Sequence, residues 1–242
     1  MKVLVVDIGG THVKVSGTGR RVPIKIVSGP TMGPAEMVKD VLAATEGWQY
    51  DCVSIGYPGP VVHDRPIAEP HNLAPGWVGF HFQAAFGKPL RILNDAAMQA
   101  LGSYKGGRML FLGLGTGLGS AMIVDGVVEP MELAHLPYKK GKTYEEYVGL
   151  AGLQRRGEKK WRKSVVDVID RLRAALQCDY VVLGGGNAKL LKEIPKGVIL
   201  GSNANAILGG ERMWQDSLKA PARTVSPVTG GQSKKKSAKL IR

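Results

Sequence analysis

Two glycine turns constrain the fold of this chain more than any other feature. Asp7-Ile-Gly-Gly-Thr11 ends one apolar, β-branched segment, and Gly113-Leu-Gly-Thr-Gly117 ends another; an extended segment follows each turn. This repeated strand–turn–strand pattern predicts two α/β halves. Amides in glycine turns form concave anion sites, so two turns facing each other across a cleft would suit a phosphate-bearing ligand. Glycine hairpins are common, and the pair is therefore more informative than either turn alone.

The composition of the 242 residues excludes several classes of protein. With 44% hydrophobic and 22% charged residues, the chain can bury a core and is not a disordered segment. Cys52 and Cys178 are too few for a disulfide scaffold. No apolar run approaches the ~20 residues of a membrane span, and the N-terminus reads as a strand instead of a cleaved signal. We therefore expect a cytoplasmic protein with no membrane partner.

The net charge of +13 is concentrated in two segments. Residues 219–242 carry seven Lys or Arg and no acid, and residues 139–163 carry nine Lys or Arg against three Glu. These segments predict either contacts with polyanions or a solubilising tail and a solvated helix face. We expect no nucleic-acid partner; a contact through the Lys234–Lys236 run is the alternative.

Asp95 is the leading candidate for a catalytic residue. It follows the predicted strand Leu90–Asn94 and would lie at a carboxyl end, where open α/β sheets bind ligands. There it could accept the proton of a substrate hydroxyl during phosphoryl transfer. The alternative is that Asp95 only caps a helix beginning at Ala96.

A second group of polar residues suits a sugar. Glu132 and His135 lie three residues apart, and Glu145 follows in Thr143-Tyr-Glu-Glu-Tyr147. Carboxylates and an imidazole can hold several hydroxyls by directional hydrogen bonds. They do not form a convincing metal set, and a Glu-x-x-His pair can also be ordinary helix surface.

Six motifs in order resemble the repressor/ORF/kinase (ROK) sugar kinases, and most of all the polyphosphate/ATP glucokinases. They are Asp-Ile-Gly-Gly-Thr-His-Val-Lys (7–14), Gly-Tyr-Pro-Gly-Pro-Val (56–61), Asn-Asp-Ala-Ala (94–97), Leu-Gly-Thr-Gly-Leu-Gly-Ser-Ala (114–121), Glu-Leu-Ala-His (132–135) and Gly-Gly-Gly-Asn (184–187). The resemblance runs from residue 3 to about residue 216.

This resemblance implies a two-lobed actin-like ATPase domain (ribonuclease H-like) of the α/β class, with a central cleft. The expected divisions are an N-terminal lobe over 1–105, a C-terminal lobe over 106–202, a C-terminal helix over 203–218 that packs back on the N-terminal lobe, and a flexible basic tail over 219–242. The resemblance also implies a homodimer.

The resemblance assigns roles to individual residues. Asp95 would be the general base for the 6-hydroxyl of glucose, and the other sugar contacts would be Pro58, Gly59, Asn94, Glu132, His135 and Glu145. Three turns would hold the phosphoryl donor, ATP and/or polyphosphate: Asp7, Gly9, Gly10, Thr11 and Lys14 in the first; Gly115, Thr116 and Gly117 in the second; Gly184, Gly185, Gly186 and Asn187 in the third. Asp7 would also orient Mg²⁺ through water.

The sequence departs from the family pattern in two places. Ala134 replaces the glycine of the usual Glu-x-Gly-His, and the cysteine-rich zinc motif that many members carry after that histidine is missing. We therefore expect no zinc site. A kinase for mannose or an N-acetylated amino sugar, and a non-catalytic sugar sensor, remain alternative functions.

Overall fold

The computed structural model describes residues 1–20, 22–202 and 204–215. The predicted basic tail over 219–242, including Lys234–Lys236, lies outside the described residues. Within the described part of the chain, no helix combines the length and the apolarity that crossing a bilayer requires.

The first half of the chain forms one sheet with helices. Its elements, in chain order, are β1 (Val3–Ile8), β2 (His12–Gly17), β3 (Ile24–Val27), α1 (Pro34–Ala44), β4 (Cys52–Tyr57), β5 (Val61–Val62), β6 (Arg65–Pro66), α2 (Phe82–Phe86), β7 (Leu90–Asn94) and α3 (Asp95–Ser103). All six residues of β1 and of β4 are buried. Such continuous apolar runs are typical of strands that are covered on both faces.

The second half forms another sheet and the longest helix of the described chain. Its elements are β8 (Arg108–Leu114), β9 (Leu118–Val124), β10 (Val127–Met131), a 3-10 turn (Leu133–His135), β11 (Pro137–Lys139), β12 (Lys142–Thr143), α4 (Tyr144–Val148), α5 (Leu150–Leu176), β13 (Tyr180–Gly184), a second 3-10 turn (Ala188–Leu190), β14 (Val198–Leu200) and α6 (Asn205–Arg212).

The two five-stranded sheets share one topology. The first has the order β3-β2-β1-β4-β7 and the second the order β10-β9-β8-β13-β14. In each sheet the first three strands are antiparallel neighbours and the last three are parallel. A glycine turn joins β1 to β2 and β8 to β9 at the carboxyl edge of the parallel strands. The duplicated pattern predicted from the two turns is therefore present.

The sequence predicts separate helices over 143–155 and 159–176; a break lies between them at Gly157, and a further break at Gly149 divides the first. A short α4 ends at Gly149, whose backbone is extended, and α5 then continues through a kink at Gly157 with φ 72°. A glycine accepts this positive φ without a Cβ clash, so the helix can break at this residue. The strand Tyr180–Leu183 and the glycines after it also predict a helix from Ala188; this prediction is wrong, because only a single 3-10 turn forms there.

Helix α6 packs on α3 and β1 through glycines. A Cβ added at Gly102 of α3 would lie 1.8 Å from the Asn205 carbonyl oxygen, and one at Gly209 would lie 1.8 Å from the Met98 oxygen. Ser54 Oγ of β4 donates to the Gly210 oxygen at 2.6 Å. The close approach fixes α3, the helix that carries Asp95, between α6 and the two sheets.

Candidate active site

Asp95 is the first residue of α3, but Asn94 is the cap of that helix. Asn94 Oδ1 accepts the amides of Ala96 and Ala97 at 3.0 and 3.2 Å, and its Nδ2 donates to the Gly59 oxygen at 3.1 Å. Asp95 Oδ1 accepts the Ala96 amide at 2.7 Å. Because Asn94 satisfies the cap, capping does not account for the carboxylate at Asp95.

The start of α3 lies where the two sheets meet. A Cβ added at Gly119 of β9 would be 2.8 Å from Ala96 Cβ, and one at Gly184, the end of β13, would be 3.3 Å from Gln99 Oε1. A core cluster also joins residues of β1 to residues of β8 and β13 around α3. This packing brings Asp95 to the junction between the lobes.

The pKa of Asp95 is raised by burial and by two neighbouring carboxylates. Burial in this junction raises its pKa to about 7, with smaller upward contributions from the negative charges of Asp7 and Glu132. The Ala96 amide and the Lys14 ammonium oppose the rise. A carboxyl group with a pKa near neutrality is suited to exchange protons in either direction at physiological pH.

Asp7 lies at the carboxyl end of β1, below the first glycine turn. It is almost fully buried, and burial raises its pKa although Lys14 Nζ lies 3.2 Å from its Oδ2. The turn closes through a hydrogen bond from the Gly9 amide to the His12 oxygen at 3.1 Å. Ser28 Oγ, from beyond β3, donates to the Gly9 oxygen at 2.6 Å. No local sequence signal points to Ser28, because strand pairing brings it there.

The second and third glycine turns are in contact with each other. The Asn187 amide donates to the Leu114 oxygen, and Asn187 Nδ2 donates to the Gly115 oxygen, both at 3.0 Å. Gly185 has φ +80°, and a Cβ there would lie 2.3 Å from the Leu114 oxygen. The structure thus brings two of the three predicted donor turns together. The second turn also contains Thr116 and Gly117, and the third also contains Gly186.

The side chain of Glu145, a residue of α4, contacts the second glycine turn. Its Oε2 accepts the Leu118 amide at 3.1 Å and would be 2.2 Å from a Cβ added at Gly117. The side chain therefore supports the turn, and its predicted contact with a sugar remains a prediction.

The other predicted sugar residues lie near the same edge of the sheets. Tyr57 pairs with Asn94 across β4 and β7, so Pro58 and Gly59 follow directly beside Asp95. Glu132 and His135 are exposed on the 3-10 turn after β10. The Ala134 that replaces the family glycine is buried there.

Mg²⁺ could be held here with few protein ligands. The described residues contain no group of three or more His, Cys, Asp or Glu placed to bind a metal ion. Mg²⁺ that accompanies a phosphate donor usually takes only one or two carboxylates besides water and phosphate oxygens. The buried carboxylate of Asp7 fits this limited role.

The chain is similar to polyphosphate glucokinases and to solved ROK kinases. It is 28% identical over 203 residues to the polyphosphate glucokinase of Mycobacterium tuberculosis, with 75% of this chain and 76% of that protein covered. The polyphosphate glucokinase of Mycobacterium leprae is 26% identical over 204 residues, with 75% of this chain and 62% of that protein covered. No protein-family model matches.

Solved structures of sugar kinases, one of them named a ROK family glucokinase, share the fold. The inorganic polyphosphate/ATP-glucomannokinase of Arthrobacter sp. strain KM has a TM-score of 0.71 at 20% identity, with 86% of this chain and 96% of that chain covered. A ROK family glucokinase from Streptomyces griseus, in complex with glucose and AMPPNP, has a TM-score of 0.72 at 17% identity, with 88% and 99% covered. The predicted actin-like fold and the resemblance to ROK sugar kinases close to the polyphosphate glucokinases are confirmed.

Proposed function

We propose that this chain, a relative of the polyphosphate glucokinases with the ROK kinase fold, transfers a phosphoryl group from ATP and/or inorganic polyphosphate to the 6-hydroxyl of glucose. The observation that carries the proposal is the position of Asp95: a carboxyl group with a raised pKa at the junction between the lobes, beside the carboxyl ends of parallel strands that lead into glycine turns. Ligands of open α/β sheets bind at such an edge.

In the proposed reaction, Asp95 takes the proton of the 6-hydroxyl as that oxygen bonds to the transferred phosphorus and the bond to the donor's bridging oxygen breaks. Phosphoryl transfer depends mainly on positioning and charge stabilisation. Amides of the three glycine turns would position the donor. Closure of the lobes would exclude water and limit hydrolysis of the donor.

The sugar would be oriented by the polar residues around Asp95. Glu132 and His135 would approach its hydroxyls from the second lobe, while Asn94, Glu145 and the Pro58–Gly59 backbone would complete the contacts. Mg²⁺ would neutralise charge on the donor, with Asp7 holding it through water and Lys14 balancing the buried carboxylate.

The proposal predicts a pH dependence of kcat/KM for glucose. Asp95 must be ionised to accept a proton, so activity should rise as pH increases through about 7 and fall roughly tenfold per unit well below it. Glu132→Gln removes a negative charge that raises the pKa of Asp95, so the midpoint of the rise should move to lower pH. A flat profile from pH 5.5 to pH 8.5 would contradict the role of Asp95.

A basic groove supports polyphosphate as one donor. It has a volume of about 420 Å³ and lies just beyond the third glycine turn, where Lys159, Lys163 and Lys192 line it. Arg162 of the same groove donates to the Leu190 oxygen at 3.2 Å. A polyanionic chain leaving the third turn would meet these cations.

From the sequence, nine cations could line the path of a polyphosphate chain: Lys139, Lys140, Lys142, Arg155, Arg156, Lys159, Lys160, Arg162 and Lys163. Three of them form ion pairs in the structure. Lys139 Nζ lies 3.0 Å from Asp167, Lys142 Nζ lies 2.7 Å from Glu146, and Arg162 Nη1 lies 2.6 Å from Glu158. Acidic partners therefore reduce the charge that these three offer to a donor.

Reversing two groove charges should affect one donor selectively. In Lys159→Glu/Lys163→Glu, we expect KM for polyphosphate to rise by about tenfold or more while KM for ATP changes less than about twofold. The KM for polyphosphate of the wild type should also rise with added salt. The matched control is Lys39→Glu/Lys88→Glu, two exposed lysines of the first lobe. Equal effects of the two variants on polyphosphate, or turnover with ATP alone, would contradict this donor path.

Homodimerisation and a cytoplasmic location stay predictions from the sequence. Kinases for mannose or an N-acetylated amino sugar and a non-catalytic sugar sensor are less favoured by the relatives' names than a glucose kinase.

A further inference from the structure

A cavity of about 630 Å³ lies between the β2–β3 pair and α6, and Lys14 is the one described lining residue that also has a role in the proposed transfer reaction. Lys14 and Ser16 of β2 and Lys25 of β3 line one wall, with Arg20 beyond them. Lys14 and Lys25 are cross-strand neighbours in the register of β2 and β3. Two strands and a helix thus enclose a space large enough for a small molecule.

The face of α6 that lines this cavity differs from the face that packs on α3 and β1. Its glycines pack on α3 and β1, whereas Ala204, Ile207, Leu208 and Glu211 line the cavity. Spacings of three and four residues place these four on one stripe. Leu208 keeps 38% of its surface exposed. The stripe therefore offers apolar contact area outside the core.

Ser16 adds an independent observation. It is only 1% exposed, and its Oγ has no hydrogen-bond partner among the residues that the structure describes. A buried hydroxyl without a partner is unfavourable, because it has lost its hydrogen bonds to water. Ser16 lines the cavity, so a rotation of its side chain toward that space would let an oxygen atom of a ligand supply the missing hydrogen bond.

The charges of the described lining residues favour an anion. Lys14, Arg20 and Lys25 carry three positive charges, against Glu211 in the lining and Asp7, which pairs with Lys14, so a net charge of +1 remains. A phosphate monoester carries about −1.5 to −2 at pH 7 and presents three acceptor oxygens. We propose that this cavity binds a small organic phosphate monoester, with its phosphate among the cations and Ser16 and its apolar body against Ile207 and Leu208.

Lys14 connects the cavity to the first glycine turn. Its Nζ is the group that lies 3.2 Å from Asp7 Oδ2. A phosphate in the cavity would compete with Asp7 for this ammonium, so the two sites share one side chain while the rest of their linings differ.

Calorimetric titration of the full chain with phenyl phosphate tests the proposal. We expect one molecule bound per chain, with inorganic phosphate at least about tenfold weaker because it lacks the apolar body. Lys25→Glu and Leu208→Asp should each weaken phenyl phosphate by about tenfold or more. Lys39→Glu, the same charge change at an exposed position of the same lobe, should leave the affinity within about twofold.

Three results would overturn the assignment: no binding at millimolar phenyl phosphate, equal affinities for phenyl phosphate and inorganic phosphate, or the same response in Lys25→Glu and Lys39→Glu. Glucose kinase activity, measured on the same three variants, should stay near that of the unsubstituted chain. Because binding and turnover are separate measurements, failure of this site is distinguishable from failure of the proposed reaction.

Discussion

Replacing Asp95 by Asn is expected to lower kcat by about 100-fold or more while the affinity for glucose changes only a few-fold. The amide keeps the shape of the side chain and can still bond to the Ala96 amide, but it cannot accept the hydroxyl proton. A loss of this size corresponds to about 2.7 kcal/mol of transition-state stabilisation. Steady-state kinetics and glucose binding by calorimetry separate the two quantities.

The matched control is Asp40→Asn, the same change on α1, for which we expect unchanged turnover. Near-normal kcat in Asp95→Asn would remove Asp95 from the role of base. A large loss of glucose affinity with unchanged kcat would instead make it a residue that only binds the sugar.

Gly102→Ala is expected to lower the free energy of unfolding by about 3 kcal/mol. The added Cβ would lie 1.8 Å from the Asn205 oxygen, and Gly102 itself is buried. Neither backbone can move far, because α6 also packs on β1. Urea denaturation should therefore show a lower midpoint with little change in slope.

Gly29→Ala is the control for Gly102→Ala, since a Cβ there would meet no heavy atom within 4 Å. Its free energy of unfolding should stay within about 1 kcal/mol of the parent. Equal stability of the two variants would show that α3 and α6 do not pack through glycine as described.

Much of the fold could be predicted from local patterns. The apolar runs of β1 and β8 and the glycine turns after them predicted the two repeated halves. Strand periodicity and turn chemistry are local properties, so they are visible in the sequence. The sequence of Leu90–Asn94 likewise indicated that Asp95 follows a strand.

The remaining features depend on contacts between distant segments. The effect of Asp7 and Glu132 on the pKa of Asp95 requires strands from both lobes to meet. The bond from Ser28 to Gly9 and the unpaired hydroxyl of Ser16 follow from sheet pairing, which local sequence does not specify.

The measurement that tests the central claim most directly is a screen for sugar 6-phosphate that crosses glucose, mannose and an N-acetylated amino sugar with ATP and with polyphosphate in the presence of Mg²⁺. We predict glucose 6-phosphate as the main product with at least one donor, and its loss in Asp95→Asn. Absence of any phosphorylated sugar across the whole screen, from a chain that still binds glucose, would contradict the account and favour a sugar sensor.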